Sequence, residues 1–160
     1  MSSFIATEPT ASSATPDPST TLTNDGWFPD IEIAELREET RLDGTVTDTR
    51  LRSAALDAMA SCNAELGSWQ ASQLAAGHAD LDDVPAPKLG GQSTHVIRYR
   101  RAIYNLVRAD LTEQYRGLDT TRTGGQKAEE LEATICEARR NVRIALADIR
   151  GIRRTTIELI

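Results

Sequence analysis

Seven aromatic residues, two cysteines and no surplus of positive charge are the shortages that stand out in this 160-residue sequence. Each of them removes a class of protein. With 18 Lys and Arg against 24 Asp and Glu, the formal charge is -6, whereas a general nucleic-acid binder carries excess basic residues to displace counterions from phosphates. Long-range electrostatics therefore repel DNA. Cys62 and Cys136 each fall within an apolar helical pattern, with no second metal ligand at a useful spacing, so buried reduced thiols are expected and a disulfide scaffold or zinc site is not. No stretch approaches the roughly 20 apolar residues of a membrane span. The N-terminus also lacks the basic segment and apolar run of a secretion signal, so the expectation is a chain made and kept in a cytosol, with no membrane partner.

What is present is rich in Ala, Leu, Arg and Glu from Gly26 onward, a profile that favours helices packed through small residues. The length suits one domain, since compact domains run to roughly 100 to 150 residues. Residues 1–25 are different: eleven Ser and Thr and three Pro, with no Lys or Arg, offer little apolar area to offset the cost of ordering. They are expected to form an extended arm.

Four helices follow in the reading. Asp30, after Trp27, Phe28 and Pro29, is placed to cap a first helix over 31–42, with Glu32 and Glu35 near its positive end, Arg37 and Arg41 near its negative end, and Gly44 as punctuation. Thr47 caps a second helix running to Ala76, in which Leu51, Ala55, Ala58, Met59, Cys62, Leu66 and Trp69 recur at steps of three and four. Gly77 ends it, and Pro85, Pro87, Gly90 and Gly91 disfavour regular structure in the long connection that follows. Ser93 or Thr94 caps a third helix ending at Arg116 before Gly117. Its apolar residues, Val96, Ile97, Tyr99, Ile103, Leu106, Val107 and Leu111, spread over two faces. Either the helix is central to its own bundle or one face meets another molecule. The fourth helix, 126–150, carries a heptad-like seam of Ala128, Leu131, Ile135, Ala138, Val142, Ala145 and Ile149. Beyond Gly151, the β-branched tail reads as extended and has no sequential partner strand. The predicted fold class is all-α, a small bundle of about four helices over 26–151 with an N-terminal arm over 1–25 and a strand-like tail over 152–160.

Several motifs suggest chemistry and fail on inspection. Gly90-Gly91-Gln92 and Gly124-Gly125-Gln126 share a triplet with the catalytic loop of peptide-release factors, but both directly precede predicted helices, where glycines make turns. His78, Asp80, Asp82 and Asp83 supply metal-ligand types, yet Pro85 occupies the sixth position, where a calcium loop requires Gly. A solvated acidic loop is the better reading. His78 and His95 sit in no nucleophile elbow, and there is no P-loop. No enzyme, metal or cofactor is expected. Arg139, Arg140, Arg143, Arg150, Arg153 and Arg154 make the C-terminal region locally basic, and their different helix faces favour ion pairing and dipole compensation over contact with DNA.

The ordered words Trp27-Phe28-Pro29-Asp30-Ile31, Leu51-Arg52, Asn63-Ala64-Glu65-Leu66, Ala75-Ala76-Gly77, Asp83-Val84-Pro85-Ala86, Tyr115-Arg116-Gly117-Leu118-Asp119 and Lys127-Ala128 together resemble the phage head-completion family of the L type. None is specific alone; their order and spacing carry the resemblance, which covers most of the chain after the arm. It implies a structural virion protein at the head-tail junction, made in the host cytoplasm. Such proteins assemble beneath the portal after DNA packaging, usually as a twelvefold ring, stabilise the filled head and present a platform to a neck or tail-terminator protein. The alternative is a DNA-associated packaging factor that uses the arginine-rich C-terminal region.

On this reading the tail residues Ile152, Arg153, Arg154, Thr155, Thr156, Ile157, Glu158, Leu159 and Ile160 are the candidates for docking onto the portal protein. A closed ring needs two different patches on each subunit. Trp27, Phe28, Arg98, Tyr99 and Arg101 are the candidates for contact between neighbouring copies, with the arm reaching neighbours as well.

Overall fold

The computed structural model describes residues 20–41, 46–116 and 124–152, of which 116 and 124–130 by their backbone alone. Within them lie two tiny antiparallel hairpins and four helices: β1 (Thr21–Leu22), β2 (Ile31–Glu32), α1 (Ile33–Thr40), α2 (Asp48–Ala75), β3 (Lys88–Leu89), β4 (Gln92–Ser93), α3 (Thr94–Arg116) and α4 (Gly124–Ile149). The expected mainly helical bundle is what forms. The parts of the expected arm and tail at 1–19 and 153–160, together with Gly44 and Gly117, lie outside the described residues.

Local sequence accounts for the two long central helices. Thr47 accepts the Arg50 amide through its hydroxyl at 3.4 Å, satisfying one of the free donors at the start of α2. Leu51, Ala55, Ala58, Met59, Cys62 and Leu66 all lie buried on one face of α2, and each fully buried Leu contributes about 1.5–3 kcal/mol of transfer free energy. The Ser93 hydroxyl likewise accepts the His95 amide at the start of α3. Helices α2 and α4 end in the same way. His78 N–H reaches the Gln73 carbonyl and Gly77 N–H the Leu74 carbonyl, while Ile152 N–H reaches Ala147 and Gly151 N–H reaches Asp148. These paired bonds need a left-handed residue, supplied by Gly77 at φ +95° and Gly151 at φ +69°.

Helix α1 departs from expectation. Asp30 does not cap it; Ile31 and Glu32 instead pair antiparallel with Leu22 and Thr21, and the Ile33 amide donates to the Thr20 carbonyl. A backbone acceptor thirteen residues upstream thus replaces the side-chain cap, and the helix begins at Ile33.

Helix α3 is the centre of the bundle, packed against α1, α2 and α4. Its pairing with α4 is antiparallel, because Arg98 meets Asp148, Asn105 meets Asn141 and Glu113 meets Arg139. Buried Ala102, Ala109, Ala138 and Ala145 let the backbones approach. The two apolar faces of α3 are therefore consumed within the chain, and the spread of its apolar residues is no sign of a second molecule. Of the two cysteines, Cys62 is buried as expected, with its thiol pushed up to about 12, first by burial and then by Glu65. Cys136 is exposed, because it directly follows buried Ile135 and so turns about 100° away from the seam.

Candidate interaction surfaces

The N-terminal segment meets the body through a closed ring of side-chain hydrogen bonds. Asn24 Nδ2 donates to the Tyr99 hydroxyl at 2.9 Å, that hydroxyl donates to Asn63 Oδ1, and Asn63 Nδ2 donates back to Asn24 Oδ1 at 2.8 Å. Tyr99 is fully buried, so the ring satisfies a hydroxyl that would otherwise be stranded. Burial, above all, raises its pKa, against the lowering effect of the Asn24 bond. Burial raises the Asp25 carboxyl too, but the amides of Phe28 and Trp27 and the Gln70 side chain outweigh it and hold the group below its ordinary value. Phe28 stacks on Tyr99 with centroids 4.8 Å apart, and Trp27 meets Phe28 and Trp69 edge-on. Trp27 also donates its indole N–H to the His78 carbonyl.

Of the candidates for contact between copies, Trp27, Phe28 and Tyr99 are 5 %, 3 % and 0 % exposed and pack into the chain's own core. Arg98 and Arg101 remain accessible, Arg98 being engaged by Asp148. Residues 20–25, assigned to the arm from sequence, are bound to the body: Leu22 is buried and Asn24 lies in the hydrogen-bond ring. The ring escaped the sequence reading because its members are 39 and 36 residues apart. Its one local trace is Asn63, a polar residue beside the apolar stripe of α2.

At the opposite terminus the chain leaves α4 at Gly151 and turns away from the helix axis. Ile152 is 52 % exposed. The exit is braced from two sides, by Arg150 paired with Glu65 of α2 at 2.9 Å and by Arg98 with Asp148. Of the docking candidates, only Ile152 falls within the described residues.

The acidic loop builds structure. Asp80 accepts the Asp83 amide, Asp83 accepts the Ala79 amide, and Asp82 accepts the Ser93 amide while pairing with Lys88. Among the described residues, no group of three or more His, Cys, Asp or Glu side chains is arranged to hold a metal. Gly90 and Gly91 form the two-residue turn between β3 and β4, both at positive φ, as a type I′ hairpin demands. His95 is half-buried with its ring edge-on to Trp69, and burial first, then Arg98, lowers its pKa.

A further surface opens between α1, α3 and α4, a cleft of about 480 Å³. Arg100, Arg101 and Arg108 of α3 line it opposite Glu35 and Glu39 of α1. Glu35 pairs with Arg100 at 3.7 Å and accepts the Tyr104 hydroxyl.

No solved structure matches the chain. The model of the phage head completion protein family (GPL) matches residues 22–160. The chain belongs to that family. A relative is the head completion/stabilization protein of Escherichia phage P2, 42% identical over 130 residues that cover 81% of this chain and 77% of the relative. The family match begins inside β1, at the point where the described structure joins the body, and leaves 1–21 unmatched. This is a head completion family and not an enzyme family. No described helix is long and apolar enough to cross a membrane.

Proposed function

We propose that this chain is a structural subunit of the virion that completes and stabilises the DNA-filled head, docking beneath the portal through residues 152–160. Family membership supports the head-completion role, and the P2 relative carries the words completion and stabilization in its name. The observation that carries the docking assignment is the exit at Gly151: the fold closes its last helix there and leaves Ile152 exposed, ahead of residues 153–160, whose sequence is rich in β-branched side chains. A tail of that composition is suited to adding a strand to a sheet edge of another protein.

The described core is complete within one chain, since α3 packs on all three other helices. A ring of copies beneath the portal, twelve if it matches a twelvefold portal, therefore joins through surfaces outside the core, with a neck or tail-terminator protein on its far side. Docking is tested with purified portal rings: the full chain is retained on them and a chain ending at Ile152 is not. Equal retention of the two would refute the assignment. The DNA-associated alternative is disfavoured by the net charge of -6 and by the ion pairing of Arg139 and Arg150. It would require binding to free duplex that falls steeply with rising salt; the connector role predicts little binding at physiological ionic strength.

A further inference from the structure

We infer that the cleft between α1, α3 and α4 is a carboxylate-binding groove whose occupant is the acidic arm of the same chain, residues 1–19. This inference does not rest on the portal reading.

The groove is built to hold negative charge. Three guanidiniums line it against two carboxylates, in a protein whose overall charge has the opposite sign. Arg100 is largely covered, and its Nε is buried without an acceptor. Arg101 and Arg108 are exposed, and their guanidiniums make no hydrogen bond or ion pair among the described residues. They stand seven residues apart on one helix, about 10 Å along its axis at 1.5 Å per residue. Asn105 and Asn141 meet each other within the groove. Among the described residues the Arg101 and Arg108 guanidiniums have no ion pair, and with Glu39 as the remaining carboxylate the groove keeps an excess of positive charge.

The arm matches this groove in charge and in point of origin. Residues 1–19 contain Glu8 and Asp17 and no Lys or Arg. The chain emerges at Thr20, whose carbonyl accepts the first amide of α1, two residues before the Glu35 that faces Arg100. Asp17 lies three residues before Thr20, a reach of about 10 Å when extended, and Glu8 nine residues further, about 30 Å more. An arm of this length is long enough to bring each acid to one of the two guanidiniums. Exposed ion pairs are individually weak, but a short tether holds the arm at an effective concentration of about millimolar. Weak pairs suffice at that concentration, and they release when another molecule competes.

The test uses the full chain with Gln92→benzoylphenylalanine, an exposed position on the groove wall, irradiated as a mixture of light and 15N-labelled protein and mapped by mass spectrometry. Crosslinks to residues 1–19 of the same molecule are expected. They should be lost in Arg101→Glu with Arg108→Glu, and regained when Glu8→Arg and Asp17→Arg are added. Three results would overturn the inference: crosslinks that avoid residues 1–19, yields unchanged by the charge reversals, or pairs of mixed isotope, which would mean that the groove takes the arm of a second copy.

Discussion

The two ends of the described chain join the same bundle in opposite ways. At the N-terminal side, residues 20–30 are threaded into the core: Leu22, Trp27 and Phe28 are buried, and Asn24 closes a hydrogen-bond ring with Asn63 and Tyr99. At the C-terminal side, Leu146 and Ile149 are the last side chains in the core; beyond them come two partly exposed ion pairs and a helix stop, and Ile152 faces solvent. The first segment is part of the core; the core ends before the last described residue. Low complexity and polar composition are thus a poor guide to where a domain starts, because a few buried groups decide it.

The contrast can be broken first at the N-terminal side. Phe28→Ala removes a ring stacked on Tyr99 and is expected to cost about 3–5 kcal/mol in urea unfolding, whereas Ile152→Ala should stay within about 0.5 kcal/mol. Comparable losses at the two positions would erase the distinction. Next is the polar ring: Asn63→Ala leaves the buried Tyr99 hydroxyl and the Asn24 amide short of partners, for an expected loss of about 1–3 kcal/mol. Tyr99→Phe is the informative companion, since it removes the hydroxyl and leaves the packing.

Acid sharpens the comparison further. The Asp25 carboxyl is held below its ordinary value of 3.8 by the Phe28 and Trp27 amides and Gln70, which outweigh burial. Its contribution is therefore fully present above that unfolded value and is lost as pH falls below it towards the folded value. Unfolding free energy should drop over that window in the native protein and less steeply in Asp25→Asn. His95, lowered from 6.5 by burial and Arg98, favours the neutral ring in the folded state, so its contribution is complete above pH 6.5 and declines as pH falls below it. The smallest effect belongs to the C-terminal brace: Arg150→Ala, losing one partly exposed ion pair with Glu65, should cost no more than about 1 kcal/mol.

Most of the helical frame was legible because its determinants are local. Thr47, Ser93, Gly77 and Gly151 mark helix ends through short-range hydrogen bonds, and three- and four-residue steps mark the faces of α2, α3 and α4. What was misplaced depends on distant partners. Strand β2 exists because Leu22 lies opposite Ile31, and nothing near Asp30 announces that. The same holds for Trp27, Phe28 and Tyr99: their apolar character was plain, but whether a large aromatic packs inward or onto a neighbour depends on the room that α2 and α3 leave. Periodicity identified α3 as two-faced, and only the packed structure shows that both faces are filled from within.

The most direct test of the account is the yield of DNA-retaining heads in an infection supplied only with a chain ending at Ile152. A tail that works outside the fold predicts a soluble, folded subunit and a yield no better than with the protein missing altogether. Normal numbers of filled heads would contradict it.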